Sequence, residues 1–121
     1  MTRSEMFNSI MTNYPEIIIF KDTEGNILEI NKYCEEAIAV LGLNKKDIIG
    51  KNEHEVLDKK IAEEYRKNDL EVIKNEKATV FKEPHPSDTE KHIIDLKLPV
   101  YDKENKICGI CGIGFSSIIE N

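Results

Sequence analysis

The chain has 121 residues, with 17 basic against 23 acidic side chains and a formal net charge of −6. Its 40% hydrophobic and 33% charged content is that of one soluble globular domain, and no apolar run approaches the ~18–20 residues of a membrane span. The lysines are scattered among glutamates, so the basic face needed to hold a nucleic-acid backbone is absent. The opening MTRSEMFNSIMTNYPE has no continuous apolar core of the signal-peptide kind, and a cytoplasmic location is expected.

In chain order, Met6, Phe7, Ile10 and Met11 recur as one face of a short amphipathic helix over 2–12, with Ser4 as its expected N-cap. Pro15 ends it, because the residue before a proline is pushed out of the helical region. Residues 16–22 (EIIIFKD) read as a strand through consecutive β-branched residues. The turn Thr23-Glu24-Gly25-Asn26 leads into a returning strand over 27–30. Asn31, a strong N-cap type, opens a helix over 32–41 whose buried stripe is Tyr33, Cys34, Ala37, Ile38 and Leu41, with Gly42 as its stop. Short helical turns follow over 44–49 and 54–57. The longest helix runs over 59–75, with Ile61, Ala62, Tyr65, Asp69, Val72 and Ile73 at three- and four-residue spacing. A strand is predicted over 78–82, and Pro84-His85-Pro86-Ser87-Asp88 reads as a loop. Two apolar runs around the turn 102–106 close the chain as a hairpin. Strands at both ends and helices between them make an α+β domain: one antiparallel sheet with the middle helices on one face.

Few residues carry recognisable chemistry. An odd count of three cysteines without a secretory signal argues against a disulfide framework. Cys108 and Cys111 form a CxxC, but in a strand residues three apart face opposite sides, so they neither chelate one metal nor pair. His54, His85 and His92 are scattered, and no metal site is expected. No catalytic triad, phosphate loop or HExxH is present, and the acidic residues read as solvated helix faces, so no catalytic residue is assigned.

Four stretches in combination resemble a PAS domain, the sensory module of histidine kinases and related signalling proteins. They are IIIFKDTEGNILEIN, LGLNKKDIIGK, EVLDKKIAEEYRKNDLEVIKNEK and LKLPVYDKENKICGICGIGFSSI. Many members end in Asp-Ile-Thr, where this chain has Ser116-Ser117-Ile118. The resemblance implies a single sensor domain over 1–121: an N-terminal helix or cap over 1–14 and a core over 16–118. The core would be a five-stranded antiparallel sheet in the order 2-1-5-4-3, with helices enclosing a small pocket.

It also implies a module that binds a small molecule and relays a conformational change to an output domain, such as a histidine kinase, outside this sequence. The candidate pocket lining is Phe20, Ile30, Val80, His92, Ile94 and Leu96 from the strands and Ile38 and Tyr65 from the helical cover, with Tyr65 and His92 as polar anchors. The family's flavin photosensors carry a reactive cysteine that LDKKIAEEY lacks. Its haem binders usually supply a histidine from the long helix, where 59–75 offers only Tyr65. No cofactor is therefore expected. The alternative is a ligand-free dimerisation and relay module, in which Met6, Phe7, Ile10 and Met11 form a homodimer interface.

Overall fold

A computed structural model of the protein describes residues 1–115. Its elements are α1 (Arg3–Asn13), β1 (Ile18–Asp22), β2 (Ile27–Ile30), α2 (Lys32–Ala39), α3 (Lys45–Ile48), α4 (Glu53–Val56), α5 (Lys59–Asn75), β3 (Thr79–His85), β4 (Asp88–Tyr101) and β5 (Ile107–Gly114). The strands form one antiparallel sheet in the order β2-β1-β5-β4-β3, as the resemblance implies. The core predicted to run to residue 118, and with it Ser116-Ser117-Ile118, extends beyond the described residues. Among the described residues, no helix is long and apolar enough to cross a membrane.

Side-chain oxygens set several helix starts. Thr2, rather than Ser4, caps α1: its hydroxyl accepts from Glu5 N at 3.0 Å while Glu5 Oε1 accepts from Thr2 N at 2.7 Å. The expected cap lost because the reciprocal capping box needs an acid three residues on, which Thr2 has in Glu5 and Ser4, facing Phe7, has not. Asn31 caps α2 as expected, accepting from Cys34 N at 3.1 Å. The same side chain accepts from Ile18 N at 2.9 Å and donates to Glu16 O at 2.8 Å, so the cap also ties α2 to the start of β1. Asn52 and Asp58 cap α4 and α5. Gly25 turns β1 into β2 at φ +89°, where a side chain would be strained and would press on Asn52.

The segment 84–88, expected as a loop, belongs largely to the sheet. Pairing continues through Glu83↔Ile93 and Pro84↔His92 to His85↔Asp88, leaving only 86–87 between β3 and β4. Proline is tolerated here because β3 is an edge strand and a lost N–H need not break the ladder.

Cross-strand partners share a face, and that fixes which side of the sheet each residue takes. Ile19↔Gly112, Lys97↔Gly112 and Asp95↔Gly114 lie on the face under α2–α5. Ile18↔Ile113, Phe20↔Cys111 and Leu98↔Cys111 lie on the other. There Met11 of α1 packs on Ile18 and Cys111, flanked by Tyr14, Phe20, Leu98, Val100 and Ile113. On the helical side, Ile27, Ile30, Cys34 and Ile48 form a second core with Ile17, Ile19, Ile38, Leu43, Ile49 and Val56. Cys111 is buried under α1 and Cys108 is exposed, in line with the opposed directions expected of a CxxC in a strand.

A cavity between sheet and helices

Between the sheet and α2–α5 lies a cavity of about 180 Å³. Its walls are mostly aliphatic, from Ile17, Ile19 and Ile27 of the strand side and Ile38, Leu43, Ile48 and Val56 of the helical side. Gly112 and Gly114 of β5 also line it. A Cβ on Gly112 would meet Ile19 Cγ2 at 3.2 Å and the Asp95 carboxylate oxygens at 3.4 and 3.6 Å, so the bare backbone leaves room beside Asp95.

One side of this space is ionic. Lys21 Nζ of β1 pairs with Glu53 of α4 at 2.8 Å and with Asp69 Oδ2 of α5 at 2.6 Å. Lys97 Nζ of β4 pairs with Asp69 Oδ1 at 2.7 Å and Glu83 Oε2 of β3 at 3.0 Å, with Asp95 Oδ2 farther off at 3.9 Å. Asp69 thus joins both ammonium groups, one oxygen to each. Asn68 Nδ2 donates to Glu83 Oε2 at 2.9 Å, and Lys97 stands 5.2 Å from the centre of the Tyr65 ring. The Tyr65 hydroxyl donates to Pro84 O at 2.7 Å. Glu83 is fully buried, and its Oε1 is a buried oxygen that receives no N–H group. Isolated charges are excluded from such surroundings, and these persist because each lysine meets two or more acids.

Burial shapes the titration of these groups. It pushes the Asp95 carboxyl up, the charge of Glu83 and a hydrogen bond with it push further, and Lys97 and Lys21 counter only in part. The resulting pKa is about 8, so this acid holds a proton against Glu83 at neutral pH. Burial alone would lower Lys97, but Asp69, Glu83 and Asp95 more than offset it and the lysine stays charged. Tyr65 is raised by burial and then by Glu83, Glu53 and Asp95. The Cys34 thiol on the cavity wall is pushed up to about 12 by burial, then by Glu35 and Glu53, which leaves it an inert wall group.

Of the eight residues nominated as lining, Ile38 and Tyr65 reach the cavity. Ile30 packs in the core beside it. Phe20 sits under α1, its ring centre 5.8 Å from that of Phe7. Ile94 and Leu96 follow the same parity as Leu98, on the face away from α2–α5, and Val80 is 61% exposed. His92 lies in a shallow edge groove with Lys60, Ile61, Glu64, Lys82 and Pro84. The inward residues of β4 are instead Ile93, Asp95 and Lys97. The reversal has one cause: apolar alternation marks a buried face, and here the α1 side is the more apolar one while paired ions occupy the other. Likewise Glu53, Glu83 and Asp95, read from sequence as part of solvated faces, are buried, as is Asp69. One available signal was Asp69, which falls in phase with the apolar stripe of α5. Among the described residues no cluster of three or more His, Cys, Asp or Glu is placed to hold a metal.

Met6, Phe7 and Ile10 are exposed on α1, and Met11 is buried against the sheet.

A family model described as "PAS fold" matches residues 11–115. No curated protein matches the sequence. Among solved structures, the PAS domain of Bordetella pertussis BvgS is similar at 21% identity and a TM-score of 0.70, covering 94% of this chain and 85% of that one. A sensory box sensor histidine kinase from Vibrio cholerae is similar at 14% identity and a TM-score of 0.72, covering 93% and 89%. The PAS domain of the Cronobacter turicensis RpfR quorum-sensing receptor, solved in complex with BDSF, gives 21% identity and a TM-score of 0.60 over 84% and 93%. With sheet order, helical cover and family model in agreement, the chain belongs to the PAS family of sensory, non-catalytic domains.

Proposed function

We propose that this domain is a cytoplasmic ligand sensor: it binds a small molecule in the cavity over its sheet and passes a conformational bias to an output domain such as a histidine kinase. The observation that supports the reading most is the cavity itself, a space of about 180 Å³ with an aliphatic wall and an ionic floor. Few precisely placed polar groups in an otherwise apolar cavity are what small-molecule recognition uses. Lys21, Glu53, Asp69, Glu83 and Lys97 come from both the sheet and the helical layer, so an occupant touching the floor pushes on several elements at once. The cavity is well below the ~300–1,000 Å³ of sites for drug-sized ligands, which favours a small occupant over haem or flavin. Native mass spectrometry of freshly purified protein tests this. Extra mass that disappears on denaturation is the expected result; a bare chain, together with no thermal shift across small-molecule panels, would overturn it.

A second reading rests on a different observation. Met6, Phe7 and Ile10 stay exposed although the same helix buries Met11. Such a stripe suits a homodimer contact that relays signals without a ligand. Deleting residues 1–12 and measuring mass by light scattering tests it: a dimer that becomes monomeric supports the relay, and an unchanged mass removes it.

A further inference from the structure

Resting on the sensor reading above, the cavity also carries information about the class of its occupant. Size comes first. A cavity of about 150 Å³ in another protein takes up benzene, so about 180 Å³ suits one ring with a short substituent.

Charge comes second. Glu53, Asp69, Glu83 and Asp95 are buried around the ionic floor, four carboxyl groups, against two buried ammonium groups on Lys21 and Lys97. Both lysines are already engaged: Lys21 by Glu53 and Asp69, Lys97 by Asp69 and Glu83. An anionic head group entering this space would meet more carboxyl than ammonium groups, with both described lysines of the floor already paired.

Geometry comes third. Asp95 lines the cavity and is only 9% exposed. Among the described residues no N–H group donates to it, and the cation nearest it, Lys97, stands 3.9 Å away and is held closer by Asp69 and Glu83. The hydrogen-bond partner of Asp95 is fully buried Glu83, whose Oε1 receives no N–H group. Gly112 keeps both Asp95 oxygens clear of a neighbouring side chain.

We infer that the cavity takes a small organic cation of about one ring, its ammonium or amidinium group on Asp95 and its ring among Ile27, Ile38, Ile48 and Val56. A cation in that place takes over the role of the proton that Asp95 otherwise holds against Glu83, and it offsets part of the acidic surplus. The hydrocarbon body replaces empty space with aliphatic contacts.

The test uses three probes of nearly the same shape on the full chain: benzylamine, benzyl alcohol and benzoate, titrated by calorimetry at neutral pH and equal ionic strength. The expected order is benzylamine at least tenfold tighter than benzyl alcohol, with benzoate weakest. Asp95→Asn should cost benzylamine at least tenfold while leaving benzyl alcohol within about twofold. Ile38→Trp, which fills the cavity, should abolish all three; benzylamine binding that survives it is surface binding and overturns the inference. Benzoate or benzyl alcohol binding as tightly as benzylamine removes the cation class but leaves the sensor reading in place. Failure of all three to bind the wild-type protein overturns the inference, and the sensor reading is then decided by whether native mass spectrometry shows a bound small molecule. The comparison of the three probes on the wild-type chain does not depend on how any variant folds.

Discussion

The two faces of the sheet are stabilised in opposite ways. The face under α1 is apolar: Ile18, Cys111, Leu98, Val100 and Ile113 pack with Met11, a kind of contact in which volume-conserving apolar swaps cost little. The face under α5 places two lysines and their acids in the interior, where every charge depends on a partner. An apolar face gains by removing area from water, whereas an ionic interior must balance charge group by group. The first is robust and unspecific. The second is sensitive, and a site that responds to a ligand is built more readily from it.

Substitutions should separate the two faces sharply. Asp69→Ala leaves both Lys21 and Lys97 short of a carboxylate and should cost roughly 3–5 kcal/mol in urea or guanidinium unfolding. A loss below about 1 kcal/mol would show that water enters and screens the floor. The pH dependence should follow with the next largest effect. The Asp95 carboxyl has a folded pKa of about 8 against an ordinary value of 3.8, so between these values the folded state holds a proton that the unfolded chain has released. Stability from this group is fully present below the ordinary carboxylate pKa and is lost as pH rises toward about 8. Between about pH 5 and 7 the decline should be on the order of 2 kcal/mol, with Asp95→Asn flattening it. A wild-type profile no steeper than that of the variant would contradict the raised pKa.

On the apolar face, Met11→Ala should cost about 2 kcal/mol, since the side chain is buried but at the margin of its cluster. A loss matching that of Asp69→Ala would erase the contrast between the faces. The smallest effect on stability belongs to Ile10→Ser, within about 0.5 kcal/mol, because Ile10 is 58% exposed. Its readout is sedimentation: a mass lower than that of the wild type would tie this residue to association between copies.

Element types were legible because local signals agreed, whereas the sheet order followed from the family resemblance. Asn31 before the helix, the β-branched run ending in Phe20, and the stripe of α5 each pointed one way. The limits of β3 and β4 were less legible, since Pro84 and Pro86 read as breakers while an edge strand accepts a proline. The site was legible only in part. Ile38 and Tyr65 lie on helices, where a 3.6-residue period shows the direction of burial directly. The strands could not be read that way, because β4 has two covered faces and the charged one looks like a solvent face. Lys97 follows Leu96 and precedes Leu98 in the alternation, yet it is 1% exposed. Only the acids waiting on α5 and β3 make that possible, and they are 28 and 14 residues away along the chain. Pairing of that kind leaves no local trace in sequence.

One hydrogen bond has a mechanical consequence. The Tyr14 hydroxyl donates to Gly114 O at 2.8 Å, clasping the exit of α1 to the last residue of β5. Tyr14 O in turn lies 3.5 Å from Asn31 Nδ2, at the head of α2. The two ends of the described fold are therefore a single handle rather than two. Torque applied at β5 arrives at α1 without crossing the sheet, and a shift of α2 reaches both through one amide side chain.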